Sequence, residues 1–213
     1  MKDNVFFVSG IDTNVGKSYA TGYLAKTWNE QGVRTITQKF IQTGNVGMSE
    51  DIELHRKIMG TGLLPEDESG LTMPEIFTYP CSPHLAAEID HRPIDFDKIE
   101  KATRQLSETY DAVWLEGAGG LMVPLTRDLL TIDYVAQKNY PLIFVTSGKL
   151  GSINHTLLSL EAITRRGIRL HTVAYNLFPE EDDDIIRRDT EAYIRDLLAK
   201  EYPETHFVVI PQL

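Results

Sequence analysis

Near the N-terminus an apolar run, Phe6-Phe7-Val8-Ser9-Gly10, meets a polar loop, Ile11-Asp12-Thr13-Asn14-Val15, that ends in Gly16-Lys17-Ser18. A short apolar strand, a glycine-bounded loop and a Gly-Lys-Ser triplet opening a helix form the layout of a phosphate-binding loop. The reason is local. Successive backbone N–H groups curl around an anion, the first helical turn adds unpaired donors, and the helix dipole favours negative charge. Lys17 then reaches the outer phosphates, and the Ser18 hydroxyl ligates Mg2+. Five residues separate Gly10 from Gly16, one more than the common spacing. An ordinary strand–turn–helix with a surface lysine is the alternative.

The rest of the chain repeats the strand-then-helix theme. Ser18 to Gln31 carries Ala20, Leu24, Ala25 and Trp28 at helical spacing, and Val33 to Gln38 alternates as a strand that ends at Lys39. Ser49 is suited to capping a short helix to Met59, closed by Gly60, with Glu50 and Glu53 as a dipole-favouring acidic first turn. Gly60 to Gly70 reads as a turn-rich loop, Glu75 to Tyr79 as a short extended piece, and Ser82-Pro83-His84 as a helix start. Phe96, Ile99, Ala102 and Leu106 give a longer helix its apolar face.

Asp111 to Glu116 is a buried-type strand that delivers an acid into Gly117-Ala118-Gly119-Gly120. A carboxylate there is costly in a plain core, so Glu116 is a candidate metal ligand or supporting base. Arg127 to Asn139 reads as helical, Pro141 to Thr146 as a strand, and the segment after Ser147 to Asn154 as a helix to Arg166. Leu170 to Tyr175 is a strand ending at Asn176, Asp182 to Lys200 an amphipathic helix, and Phe207 to Ile210 a last strand. Asp182, Asp183 and Asp184 are the N-terminal charge of that helix rather than a metal cluster. Apolar strands alternating with helices predict an α/β domain over residues 1–213, a mainly parallel sheet with helices on both faces. Ligands of such sheets gather beyond the strands' carboxyl ends, where all the polar candidates fall.

Bulk properties narrow the function. A formal net charge of −10 argues against a broad nucleic-acid or anionic-membrane surface, though not against a nucleotide held in a local nest. No apolar run approaches the roughly 20 residues of a membrane span. The single Cys81 can form no internal disulfide, and Met1-Lys2-Asp3-Asn4 leaves no room for a signal peptide, so a cytoplasmic protein is expected.

Several segments together resemble the dethiobiotin synthetase family, ATP-dependent carboxylases and cyclo-ligases of biotin synthesis with a P-loop NTPase-like fold. They are the five-residue loop, Lys39 with Thr43, Ser82-Pro83-His84, Glu116-Gly117-Ala118-Gly119-Gly120, Lys149-Leu150-Gly151-Ser152-Ile153-Asn154-His155 and Asn176. The resemblance implies carboxylation of 7,8-diaminononanoate with CO2 (or bicarbonate) and ureido ring closure driven by ATP and Mg2+. It places the nucleotide on Asp12, Thr13, Asn14, Val15, Gly16, Lys17, Ser18 and Tyr19, with Asn176 at the base. It implies catalytic roles for Lys17, Lys39 and Thr13, and a Mg2+ ligand set of Ser18, Asp51 and Glu116. Lys39, Thr43, Gly151, Ser152, Ile153 and Asn154 would bind the substrate, the last four holding its carboxylate at a helix start. It further implies a homodimer with the substrate site near the subunit interface. Two positions depart from the family: Ser18 stands where it usually has Thr, and Asn14 where it commonly has an acid. Longer relatives continue past Leu213 beside the nucleobase, so a weaker or different base selectivity is expected here.

Two rivals remain in view. Partition-type ATPases share the sheet and a modified loop but carry a second lysine five residues before the loop lysine, a position held here by Asp12. A non-catalytic nucleotide-dependent binding module would keep Lys17 and Ser18 without using Lys39, Thr43 and Gly151 to Asn154 together.

Overall fold

Strand β1 (Val5–Gly10) is buried along its whole length and pairs in parallel on both sides, with β5 (Ala112–Gly120) and β6 (Leu142–Ser147). The computed structural model describes residues 4–178 and 183–212. Outward from β1 lie β2 (Thr35–Lys39) beyond β5, and β7 (Leu170–Asn176) then β8 (His206–Ile210) beyond β6. The order β2-β5-β1-β6-β7-β8 is parallel at every pairing, so each connection crosses over, and helices do the crossing.

The period-2 alternation of buried strands divides the core in two. Val5, Phe7, Val113, Leu115, Leu142 and Phe144 join the larger cluster on one face, while Phe6, Val8, Trp114, Ile143 and Val145 face the other way. Ala20 and Leu24 of α1 (Lys17–Glu30) cover the second face. Ile99 and Leu106 of α5 (Phe96–Thr109), Ile132 and Val135 of α6 (Thr131–Lys138) and Leu160 and Ile163 of α7 (Ser152–Arg165) cover the first. The mainly parallel sheet with helices on both faces is therefore as expected.

Local chemistry sets the helix ends nearest the site. Ser49 caps α2 (Glu50–Met59) by accepting from the Ile52 N–H at 3.2 Å, and Gly60 closes that helix in the left-handed region. Asp95 caps α5 through the Lys98 N–H, and Asp183 caps α8 (Asp184–Glu201). Asp182 lies outside the described residues.

The structure differs from the sequence expectations in four places. A second, two-stranded sheet pairs β3 (Gln42–Thr43) with β4 (Ile76–Phe77), where the sequence offered only a polar loop and one extended piece. The turn-rich segment contains α3 (Pro65–Glu68), with Pro65 at its first position. Helix α6 starts at Thr131 rather than Arg127, because the Leu125 and Thr126 N–H groups turn back onto the Leu129 carbonyl. Strand β5 runs on through Gly120 rather than stopping at Glu116. The Ser82-Pro83-His84 start opens α4 (Pro83–Ile89) as expected.

Candidate active site

Register brings the polar strand ends to one edge of the sheet. Lys39 is the parallel partner of Glu116, Gly10 of Gly120, and Ser147 of Asn176. Residues 11–16 leave β1 at this edge and enter α1 through Gly16, whose φ of 80° lies in the left-handed region. A Cβ at Gly16 would sit 2.2 Å from Asn176 Nδ2, so both the backbone and the neighbour demand glycine. Asn176 is fully buried there; its amide donates to the Val15 carbonyl at 2.9 Å and its Oδ1 accepts from the Phe178 N–H at 3.2 Å. It braces the loop from below.

Lys17 bends back over its own loop and donates to the carbonyls of Asp12 (2.8 Å) and Thr13 (3.2 Å). Burial, and then the charge of Lys39, lower its pKa to about 8. Asp12 turns its carboxylate onto the Thr13 N–H at 2.7 Å. Val15 packs into the core of this face, and Tyr19, third residue of α1, is half-buried against the same cluster.

Beside the loop, Ser18, Lys39, Asp51 and Glu116 converge. The Ser18 hydroxyl lies 2.6 Å from Asp51 Oδ1 and 2.8 Å from Glu116 Oε1. Lys39 Nζ lies 2.5 Å from Asp51 Oδ2 and 2.8 Å from Glu116 Oε1, and donates also to the Gly117 carbonyl at 3.2 Å. Burial alone would push the Glu116 carboxyl up, but the Lys39 ammonium and the His55 ring hold it well below the usual range. Burial likewise opposes charge on Lys39, and the two carboxylates outweigh it and raise its pKa.

The donor set suits a hard cation. A hydroxyl has one proton to offer, so Ser18 donates to only one of the two carboxylate oxygens it faces, and its lone pairs stay available to a cation. All three side chains offer oxygen, as Mg2+ requires, and two carboxylates with a hydroxyl leave room for phosphate and water ligands. Among the described residues no group of three His, Cys, Asp or Glu side chains is placed to hold a metal ion on its own.

A cavity of about 530 Å3 opens above these groups. Thr13, Asn14, Lys17, Ser18, Lys39, Thr43, Asp51 and Glu116 all line it, along with Gln42, Cys81, Ser82 and Pro83. Gly151, Ser152, Ile153, Asn154 and Asn176 do not. The first four form the start of α7: Gly151 has φ 94°, the Ser152 N–H returns to the Lys149 carbonyl, and the Ser152 and Ser147 hydroxyls meet at 3.1 Å. Asn154 is exposed.

Three residues that the sequence reading passed over belong to this site. His55 is buried, with Nε2 2.8 Å from Glu116 Oε2 and Nδ1 3.1 Å from Thr37 Oγ1. Arg56 donates to the same Thr37 hydroxyl at 2.8 Å. The available signal was the spacing of Asp51 and His55, four apart and so on one face of α2.

A family model described as an AAA domain matches residues 4–213. The chain is 52% identical to the ATP-dependent dethiobiotin synthetase BioD 2 of Pasteurella multocida, over 97% of this chain and 96% of that protein. It is 56% identical to the protein of the same name from Haemophilus influenzae, over 86% and 96%. To the ATP-dependent dethiobiotin synthetase BioD of Chlorobaculum tepidum it is 52% identical, over 90% and 80%. Among solved structures, the MinC:MinD cell division complex of Aquifex aeolicus matches with a TM-score of 0.54 at 14% identity, covering 99% of this chain and 82% of that one. A ParA family ATPase from Chlorobium tepidum has a TM-score of 0.54 at 12% identity, covering 99% and 85%. At such identities the likeness is one of fold.

Proposed function

The chain belongs to the family of ATP-dependent dethiobiotin synthetases, and from that premise we propose that it carboxylates 7,8-diaminononanoate with CO2 and closes the ureido ring of dethiobiotin at the cost of ATP, as a step of biotin biosynthesis. The observation that carries the reading at the site is the second lysine. Lys39 shares one cavity with the loop lysine Lys17 and is locked between Asp51 and Glu116, where a bare nucleotide-binding module would have no use for it. A partition-type ATPase is disfavoured by Asp12, whose carboxylate is engaged by the Thr13 N–H where that class carries its extra lysine.

The chemistry needs placement and charge neutralisation more than covalent help. One amine takes up CO2 and loses a proton, giving a carbamate. A carbamate oxygen attacks the γ-phosphorus of ATP and ADP leaves. The neighbouring amine then attacks the carbonyl carbon of the mixed anhydride, forming the second C–N bond as the C–O bond to phosphate breaks, with loss of phosphate and of the amine's proton. Lys17, now turned onto its own loop carbonyls, exchanges them for phosphate oxygens. Lys39 faces the transferring group and the carbamate, and the hydroxyls of Thr13 and Thr43 hydrogen-bond there. Ser18, Asp51 and Glu116 would hold Mg2+, which neutralises charge on the phosphate oxygens. The nucleobase is assigned to the Asn176 side of the loop, where Phe178 also lies.

The start of α7 does not line the protomer's own cavity, although an anion-binding helix start is what the substrate carboxylate needs. We assign Gly151, Ser152, Ile153 and Asn154 to the substrate of a second copy in a homodimer. The exposed apolar Leu150 and Leu158 on either side of that segment support this. The remaining assignments are a single working domain over residues 1–213 and a cytoplasmic location. The lone Cys81 supports the latter, and no helix of the described residues is long and apolar enough to cross a membrane.

Phosphate release is the test. Purified protein with ATP and Mg2+ releases phosphate only when bicarbonate and 7,8-diaminononanoate are both present. Release that ignores the diamine, or follows added DNA, overturns the reading. Lys39→Ala lowers turnover by about 100-fold or more, since it removes a buried cation aimed at developing charge.

A further inference from the structure

Glu116 has two carboxylate oxygens, and the structure commits them differently. Oε1 faces Ser18 and Lys39, on the cavity side, while Oε2 faces His55 Nε2 at 2.8 Å. An ionised carboxylate only accepts, so His55 donates from Nε2, and the groups behind the ring fit that direction. Arg56 is ion-paired to Asp67 through Nε and Nη2, at 2.8 and 2.9 Å, and its Nη1 donates to Thr37 Oγ1 at 2.8 Å. A guanidinium only donates, so Thr37 Oγ1 accepts on that side and its own proton is free to turn to His55 Nδ1, 3.1 Å away. The ring proton on Nε2 points at Glu116. Thr37, His55, Arg56, Asp67 and Glu116 are all buried, so water does not compete for any of these bonds.

We propose that His55 is a positioning residue for Glu116: the Arg56–Thr37 pair orients its ring, its Nε2–H occupies Oε2, and Oε1 alone is so presented to the cation between Ser18 and Asp51. Helix α2 thereby contributes twice to the site, with Asp51 directly and with His55 four residues later through Glu116. The proposal rests on the reading of Ser18, Asp51 and Glu116 as the Mg2+ ligands. A buried carboxylate that loses one hydrogen-bond donor can rotate or share both oxygens, and groups orienting a metal ligand in this way commonly govern about 10–100-fold in metal affinity.

Binding of Mn2+ as a probe, in the presence of a non-hydrolysable ATP analogue and followed by electron paramagnetic resonance, separates the cases. His55→Leu is expected to weaken Mn2+ by about 10–100-fold, and His55→Gln, whose amide can still donate to Oε2, to recover most of that loss. Equal loss in both variants, or unchanged Mn2+ binding with only a lower melting temperature, overturns the proposal. Glu116→Gln is the control for the underlying reading: if it binds Mn2+ like the wild type, the metal site itself is wrong. If Glu116→Gln loses Mn2+ and folded His55→Leu does not, only the role of His55 falls. Should His55→Leu fail to fold, 15N resonances of histidine-labelled wild-type protein and Thr37→Val decide the matter. The wild-type Nε2 at position 55 must carry a hydrogen-bonded proton, and Thr37→Val must weaken that hydrogen bond. A wild-type Nε2 without a proton, or a hydrogen bond unchanged in Thr37→Val, overturns the proposal.

Discussion

Lys17 shows how one side chain can be prepared for an anion before the anion arrives. It is buried, it caps its own loop through the Asp12 and Thr13 carbonyls, and its ammonium is poised at about 8, chiefly by burial and then by Lys39. A bound phosphate favours the charged form, so binding and protonation are linked. The sign follows. Below about pH 8 Lys17 is already charged and ATP affinity is flat; above it each binding event must first recruit a proton, and affinity falls by about tenfold per pH unit. Calorimetric titration of ATP without added metal, from about pH 6.5 to about pH 9.5, reads this directly. Lys17→Arg, which does not deprotonate, is expected to bind with a flatter profile over the same range. An alkaline limb that survives in Lys17→Arg would assign the titration to another group.

At the scale of elements, α2 is the piece on which the site depends, and one buried ion pair anchors it. Arg56 meets Asp67 of α3 through two nitrogens, and Asp67 also accepts from the Thr72 hydroxyl at 2.7 Å and the Leu64 N–H at 2.8 Å. Arg56→Met leaves that carboxylate buried without its cation and is expected to cost about 3–5 kcal/mol in urea unfolding. Burial on its own would push the Asp67 carboxyl up; the hydrogen bonds from Arg56 and Thr72 overcome it and lower its pKa. Its stabilisation is therefore fully present above the unfolded value of roughly 4 and is lost as pH falls through the lower folded value. Asp67→Asn is expected to flatten the acid limb of stability below roughly pH 4 while lowering stability at neutral pH. Elements of this kind were only partly legible in the sequence. The Ser49 cap, Gly60 stop and acidic first turn marked α2 plainly, because capping chemistry is local. Its inward face was not legible, since the partners of His55 and Arg56 lie on β2, β5 and α3, and a lone histidine in a helix carries no sign of them. Two-residue strands such as β3 and β4 are too short for any period to show. The register of long apolar strands did carry through, which is why Lys39 and Glu116, 77 residues apart, could be expected at one sheet edge and are found there as direct neighbours.

For the whole molecule, the α7 start assigned above to the substrate and an exposed apolar surface lie together. The chain supplies the phosphate loop, both lysines and the acidic pair to a single cavity, yet the α7 start is not on its wall. On α7 the exposed Asn154 and Leu158 are four residues apart and share a face, and Leu150, 73% exposed, precedes the same turn. A two-fold axis through this surface would bury both copies of Leu158 and carry each Asn154 toward the other protomer's cavity. Fully burying a leucine is worth about 1.5–3 kcal/mol, and the symmetry counts it twice, so Leu158→Glu is expected to weaken the dimer by about 100-fold or more. Light scattering across a concentration series measures that loss. The kinetic consequence is selective: with the nucleotide assigned to residues of a single protomer, the KM for ATP is expected to hold while the KM for 7,8-diaminononanoate rises at concentrations where the variant is monomeric. A monomeric Leu158→Glu protein with both KM values unchanged would return the α7 start to a structural role.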